Sequence, residues 1–420
     1  MGIPFYVSSL VRTHKHIQKT LGNAPLEVDV LGIDFNCFIH KYLKAENPIG
    51  SIVVALHELL TNTVRAKKVY IAFDGLVPYA KMVQQRYRRM RISEEAAFDK
   101  HQISPGTPFM KELASTLKFM FRDVEISGTD ERGEGEHKIF LWLRSLSEDQ
   151  RRSICIYGLD ADLVLISIAQ SHLGSIQLLR EKEGEPIQFS TISVDAIRAA
   201  LPMDPETYVR MCVMNFGNDF MPNLAMFSLR EDGYPRAIYY ADKGTAHKDE
   251  KSILLKRAKD HDRRIIAPDG RALEARFGVH LMDGVLNWEP VCYAFWKSFA
   301  WTLHYFKTSE VLDWEWYYPY PEAPLVSTME DFDVPTQFVW DHPEPSYTVE
   351  DQLQFILPEH SLSKTGLSPK FPDELYQESE ASRHLWMKRY VWECDPYISL
   401  PIGKLTSVSE IHLPQVVDQL

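Results

Sequence analysis

Apolar positions along the 420-residue chain recur in two rhythms. Residues 28–33, 69–73 and 153–159 are short, nearly continuous apolar runs with β-branched and aromatic members, and each leads straight into an aspartate: Asp34, Asp74 and Asp160. Runs of this length predict strands buried on both faces, as in a parallel sheet. Elsewhere the spacing shifts to the helical period, over residues 35–43, 52–64, 109–121, 139–146 and 208–216, and a basic helix begins at Pro78. Strand pieces are expected at 124–127, 178–180 and 187–189, with a turn in EKEGEP between the last two. The alternation predicts an α/β fold with a mostly parallel central sheet flanked by helices. Residues 1–240 read as this core, 241–282 as a charged insertion or linker, and 283–420 as a C-terminal, mostly helical covering region that opens with an aromatic, core-facing helix at 283–306.

In open α/β sheets, ligands bind beyond the carboxyl ends of the strands, so the fold would gather Asp34, Asp74 and Asp160 at one edge. Asp162 follows Asp160 closely. Glu134 and Glu136 lie in the glycine-punctuated turn GEGE that opens the 139–146 helix, and Asp219 stands in GNDFMP. Each pair alone is equally a helix start or a turn. Their recurrence at strand ends favours a carboxylate cluster, whose repulsion a hard divalent cation such as Mg²⁺ or Mn²⁺ relieves.

Lys+Arg number 46 against 58 Asp+Glu, giving a formal net charge of −12. Bulk attraction to a polyanion is thereby excluded, and a nucleic-acid partner needs a local basic patch. One exists: Lys81, Arg86, Arg88, Arg89 and Arg91 occur with no acid between them. Lys81, Gln85, Arg88 and Arg89 share a helix face. A solvated face is the plain alternative. The position directly after Asp74 favours a phosphate pocket, to which the planar arginine fork is suited. Two aromatic features stay open between packing and base stacking: His40, and the run 313–319 with Trp314 and Trp316.

The five cysteines lack a CxxC pair, which argues against a zinc site or disulfide framework and suits a reducing compartment. No apolar run reaches the ~18 residues of a membrane span, and the start lacks a signal-peptide pattern. A soluble intracellular protein, in cytoplasm or nucleus, is expected.

The ordered set GIP, GIDFNCFIH, AFDGLVPYAKMVQQRYRRMR, SPGTPFM, GEGEHKI, YGLDADLVLI, GNDFMP and WYYPYPEAP resembles the XRN family of 5′→3′ exoribonucleases, with a remnant at ILPEHS. The resemblance implies a PIN/FEN-like nuclease core and metal binding by Asp34, Asp74, Glu134, Glu136, Asp160, Asp162 and Asp219. It implies a 5′-monophosphate pocket of Lys81, Gln85, Arg88 and Arg89. It also implies a first base stacked between His40 and either Trp314 or Trp316. The expected substrate is single-stranded RNA with a 5′-monophosphate, cut to mononucleotides by two Mg²⁺ or Mn²⁺ ions. The short linkers suggest a compact form limited to the catalytic regions, acting as a monomer, with no protein partner inferred. Two rivals are a flap-type DNA nuclease, disfavoured because no glycine-rich hairpin follows Asp219, and an inactive RNA-binding scaffold, disfavoured because all seven acids are present.

Overall fold

The computed structural model describes residues 2–89, 99–182, 187–229, 232–241, 243–260, 282, 285, 287–373 and 376. Seven strands among them form one sheet: β1 (Gln18–Thr20), β2 (Leu26–Asp34), β3 (Val64–Ala72), β4 (Glu125–Ser127), β5 (Ser153–Tyr157), β6 (Ser175–Lys182) and β7 (Gln188–Ser193). Their order is β1-β7-β6-β5-β2-β3-β4. The block β6-β5-β2-β3-β4 is parallel throughout, and β7 and β1 add antiparallel pairings at one side. After β2 the chain steps outward to β3 and β4, then returns to lay β5 on the other flank of β2. The order therefore reverses between β2 and β5, which is where an open α/β sheet has its crevice.

The α-helices among the described residues, in chain order, are α1 (Tyr6–Thr13), α2 (Phe35–Ile39), α3 (Pro48–Glu58), α4 (Tyr79–Arg89), α5 (Pro108–Met120), α6 (Gly135–Ser145), α7 (Asp162–Ala169), α8 (Val194–Ala200), α9 (Pro205–Phe216), α10 (Gly233–Ala241), α11 (Ala246–Asp260), α12 (Glu289–Thr308), α13 (Val326–Met329), α14 (Val349–Ile356) and α15 (Glu359–Leu362). Side-chain alternation along the strands feeds two cores. Val30, Ile154 and Ile156 face one core with α6, α7, α9 and α12, and Leu31, Ile33, Cys155 and Tyr157 face the other with α2, α3 and α5. Helix α12 carries the expected aromatic core stripe, including Phe295, Phe299 and Trp301. A third apolar cluster joins α4 to α14 through Tyr79, Met82, Leu353 and Phe355.

Several boundaries differ from expectation: the helix expected at 283–306 runs Glu289–Thr308, the strand piece at 178–180 extends to Ser175–Lys182, and the region before Asp74 differs most. The helix placed at 52–64 begins at Pro48, capped by the Asn47 side chain, and ends in a π-helical turn, Leu59–Thr63. Strand β3 begins at Val64, five residues earlier than the apolar run, because Arg65, Lys67 and Lys68 lie on its exposed stretch and mask the strand pattern. The turn between β6 and β7, most of the span 241–282 after α11, and Arg91 lie largely or wholly outside the described residues.

Candidate functional site

Asp34 closes β2 and stands at the start of α2. Asp74 lies two residues beyond β3, and its carboxylate accepts from the Asn36 side-chain amide at 2.9 Å and the Gly135 amide at 2.8 Å. Glu134 is the residue just before α6, and Glu136 sits in its first turn. Gly133 takes a φ of 107°, a left-handed value that glycine favours. Gly135 is needed for closeness instead, since a Cβ there would lie 2.8 Å from Asp34 Oδ1. The glycines of GEGE thus let the chain carry two glutamates up against two aspartates.

Asp34, Asp74 and Glu136 present ligand atoms that all lie within 4.8 Å of one another. Burial, then the charges of Asp74 and Asp160, push the Asp34 carboxyl up to about 8. Glu136 is raised well above the carboxylate range, by burial and then by Glu134 and Asp34. Asp162, the first residue of α7, is raised likewise by burial and by Asp219. Asp160 lies between the halves, within electrostatic reach of both Asp34 and Asp219. The structure therefore brings all seven predicted acids into one mutually repelling group.

Lys81 offsets part of that repulsion. Its ammonium lies 2.5 Å from Glu134 Oε2 and 2.7 Å from Asp219 Oδ2, and all three side chains are buried. Burial works against the charges on Lys81 and Asp219, yet the pairing wins for both: Lys81 is held well above its ordinary value and Asp219 well below. The Oδ1 atoms of Asp162 and Asp219 are buried without a hydrogen-bond partner. Buried carboxylate oxygens without donors are costly in a dry protein. This all-oxygen donor set fits a hard divalent cation.

The solvated-face alternative for the basic helix does not hold. Lys81, Gln85, Arg86 and Arg89 are buried and Arg88 is exposed. Helix α4 lies between the acid edge and α14, with Arg86 over the Phe355 ring and donating to the Phe355 carbonyl. Arg89 Nε donates to Ser104 Oγ at 2.9 Å, in the SPGT turn. His40 follows α2 at the surface, and desolvation together with Arg88, Arg89 and Lys100 lowers its pKa. Lys81 thus pairs into the acid cluster, Arg89 lies within electrostatic reach of Asp74 and Arg88 of Asp219, both reach His40, and Gln85 is on the same helix.

The tryptophans lie in different settings. Trp316 donates to Ser298 Oγ at 3.1 Å, and the Lys297 ammonium covers its ring at 4.3 Å. Trp314 is buried, its carbonyl accepts from the Tyr79 amide at 2.8 Å, and Arg132 lies 6.0 Å from its ring centre. The backbone at Trp314 therefore braces the start of α4.

Sequence reasoning gave no role to three residues at the site. Asn36 exchanges hydrogen bonds with Asp74, Cys37 donates to Asp34 at 2.8 Å, and Tyr305 donates to Glu134 at 3.1 Å while stacking on His137. Asn36 and Cys37 were findable from their place just after Asp34. Tyr305 comes from α12, distant in sequence and placed only by packing.

Fold and site together define an α/β protein with a carboxylate-built cation centre at its sheet switch point and a buried cationic helix beside it. The model of the XRN 5′-3′ exonuclease N-terminus matches residues 1–97 and 91–182, so this region of the chain is similar to that family. The chain is 28% identical to the 5′-3′ exoribonuclease 1 of Saccharomyces cerevisiae over 323 residues, covering 59% of this chain and 21% of that protein. It is 32% identical over 209 residues to the 5′-3′ exoribonuclease 2 of Cryptococcus neoformans, covering 37% of this chain and 18% of that protein. The chain thus spans about a fifth of the length of these relatives. Among solved structures it is similar to the catalytic core of Rad2 in complex with DNA substrate, at a TM-score of 0.42 and 16% identity, over 89% of this chain and 98% of that one. No helix among the described residues is long and apolar enough to cross a membrane.

Proposed function

We propose that this chain is a 5′→3′ exoribonuclease that removes mononucleotides from single-stranded RNA bearing a 5′-monophosphate, as a monomer inside the cell. The observation that carries this reading is the reach of one helix. Its start is tied into the acid cluster by Lys81, and its far end presents Arg88 and Arg89, seven residues on and so ~10 Å along the axis. A terminal phosphate held there lies a short span from the acids, so the chain measures from the 5′ end.

Asp34, Asp74 and Glu136 would hold one Mg²⁺ or Mn²⁺, and Asp160, Asp162 and Asp219 a second, with Glu134 beside Lys81. Bound divalent ions supply an activated water and a counter-charge for the leaving oxygen. The protein's own groups do the positioning. Arg88 and Arg89 would grip the terminal phosphate through their forked donors, and Gln85, one helical turn before them, has a buried Oε1 without a partner. The neutral ring of His40 offers a stacking surface for the first base, and Trp314 is the tryptophan attached to the same helix. Lys81 and Asn36 keep the carboxylates in place.

Decay of end-labelled RNAs carrying a 5′ monophosphate, triphosphate or hydroxyl, with and without Mg²⁺, tests the proposal. Stepwise mononucleotide release from the monophosphate alone, lost on chelation, is expected. Equal decay of all three ends, or preference for a DNA flap, overturns it.

A further inference from the structure

On the other side of the acids from α4 lies a second feature of the strand edge. A groove of about 700 Å³ opens between α1 and the β5–β6 end of the sheet, lined among others by Ile3, Phe5, Arg12, Leu159, Ala161 and Arg180. Its volume is in the roughly 300–1,000 Å³ range of small-ligand sites. Leu159 and Ala161 flank Asp160, so the groove runs beside the acid cluster. The chain just before the lining residue Ile3 also packs against the cluster, since a Cβ on Gly2 would lie 2.7 Å from Asp162 Oδ1.

Two residues of the wall are out of the ordinary. Arg180 on β6 is mostly buried, within electrostatic reach of Asp160, and its Nη1 is buried with no hydrogen-bond partner among the described residues. An unsatisfied guanidinium nitrogen is costly unless a ligand supplies the acceptor. Phe5 holds a φ of 63°, a conformation that residues other than glycine rarely adopt, and the residue is 47% exposed. Backbone strain of this kind costs on the order of 1–3 kcal/mol and marks places where position matters more than stability.

Along the strand ends the order is therefore cationic helix after β3, acids at β2 and β5, then Arg180 on β6. We propose that the groove receives the RNA strand downstream of the scissile phosphate, with Arg180 taking a backbone phosphate and the Phe5 ring taking a base. The inference rests on the exoribonuclease reading and extends it to a substrate-length requirement. In a chain of net charge −12, cations placed next to a carboxylate cluster have a polyanion that crosses it as their fitting partner. Stacking of a base on an exposed ring is a contact that tolerates any sequence, as an RNA strand drawn past the acids requires.

Three variants and two assays test this. Arg180→Ala is expected to lower kcat/KM on a 5′-phosphorylated oligomer about tenfold more than on a 5′-phosphorylated dinucleotide, mostly through KM, with Arg180→Lys recovering part of the loss. The salt dependence of log KM on the oligomer should flatten by about 0.7, the loss of one phosphate contact to a single strand. Phe5→Gly relieves the strained backbone, so it should raise the Tm slightly while weakening oligomer use about fivefold. The second assay is anisotropy of a labelled single-stranded RNA oligomer with a 5′ hydroxyl, whose binding to the groove needs neither cleavage nor the terminal phosphate. Weaker binding by Arg180→Ala and Phe5→Gly supports the groove even where the cleavage reading fails. Wild-type digestion of both substrates, with the oligomer-to-dinucleotide ratio and the anisotropy unchanged by Arg180→Ala and Phe5→Gly, overturns the groove and leaves the cleavage reading standing.

Discussion

Two groups of metal-ligating side chains come within coordination reach in the described part of this chain, and their surroundings are opposite. Asp34, Asp74 and Glu136 are brought together by strand ends, with further acids on every side. Asp99, His101 and His360 also bring their ligand atoms within 4.8 Å of one another. In that second group Asp99 is already satisfied: Oδ2 accepts from Ser361 at 2.9 Å and from Lys364 at 3.0 Å, and Oδ1 accepts from the His101 amide at 3.0 Å. His101 Nδ1 and Ser361 Oγ are 2.7 Å apart. Closeness of ligand atoms is common to both; unbalanced negative charge belongs to one. The second group reads as a tie between the 99–104 segment and the C-terminal ILPEHS stretch, which supports the far end of α4 through Ser104 and Arg89.

The largest effect that separates the two is on turnover. Asp34→Asn, Asp74→Asn or Glu136→Gln should each lower the rate on 5′-phosphorylated RNA by about a thousandfold, since each removes several kcal/mol of charge stabilisation. Asp99→Asn should leave the Mg²⁺ concentration for half-maximal rate within about twofold. A Mg²⁺ titration of initial rates reads both, and a shifted Mg²⁺ requirement in Asp99→Asn would erase the distinction.

Next in size is the contrast between the two lysines. Removing Lys81 by Lys81→Met leaves Glu134 and Asp219 buried without their cation, and breaking a buried pair this way costs about 3–5 kcal/mol. Lys364 is half exposed, so Lys364→Met should cost no more than about 1 kcal/mol. Urea unfolding in chelator measures both. Mg²⁺ should then restore part of the Lys81→Met loss and none of the Lys364→Met loss.

A smaller effect is the stabilisation by the cation itself. At a free Mg²⁺ concentration a hundredfold above its Kd, the native state gains about 2.7 kcal/mol. The rise in Tm with Mg²⁺ should vanish in Asp34→Asn and persist in His360→Gln.

The acidic centre was more legible in the sequence than its surroundings. Asp34, Asp74 and Asp160 end apolar runs, and burial on both faces of a parallel strand leaves that pattern plainly readable. Glu134 and Glu136 were readable because the glycines around them have no other use at a helix start. The burial of α4 was not readable, since Lys81, Arg86 and Arg89 look like a solvent face in sequence, while Arg86 is covered by α14 from more than 260 residues away, Lys81 by the acids and Arg89 by the 99–104 segment. Separation along the chain also hid Tyr305 on Glu134, 171 residues apart, and the Asp99–Ser361 tie, 262 apart. Phe5 carried no periodic signal because its distinction is a backbone angle, and Arg180 hid within an apolar strand.

The smallest effect sharpens the comparison most, because the two groups respond to pH in opposite directions. Asp34 binds its proton more tightly in the folded chain, with its pKa raised from 3.8 to about 8, so folding takes up a proton between those values. The metal-free protein should accordingly lose stability as pH rises across that window. His101 is the reverse: burial lowers it from 6.5 to about 4, so the folded chain refuses a proton that the unfolded chain accepts. Its contribution is complete above pH 6.5 and is lost as pH falls toward 4. In chelator, Asp34→Asn should therefore flatten the decline in Tm toward pH 8, and His101→Gln should flatten the decline toward pH 4. Saturating Mg²⁺ should abolish the first slope, since the cation takes the place of the proton, and leave the second untouched. A His101→Gln variant that altered the Mg²⁺-sensitive slope would mean that the two groups are one coupled site.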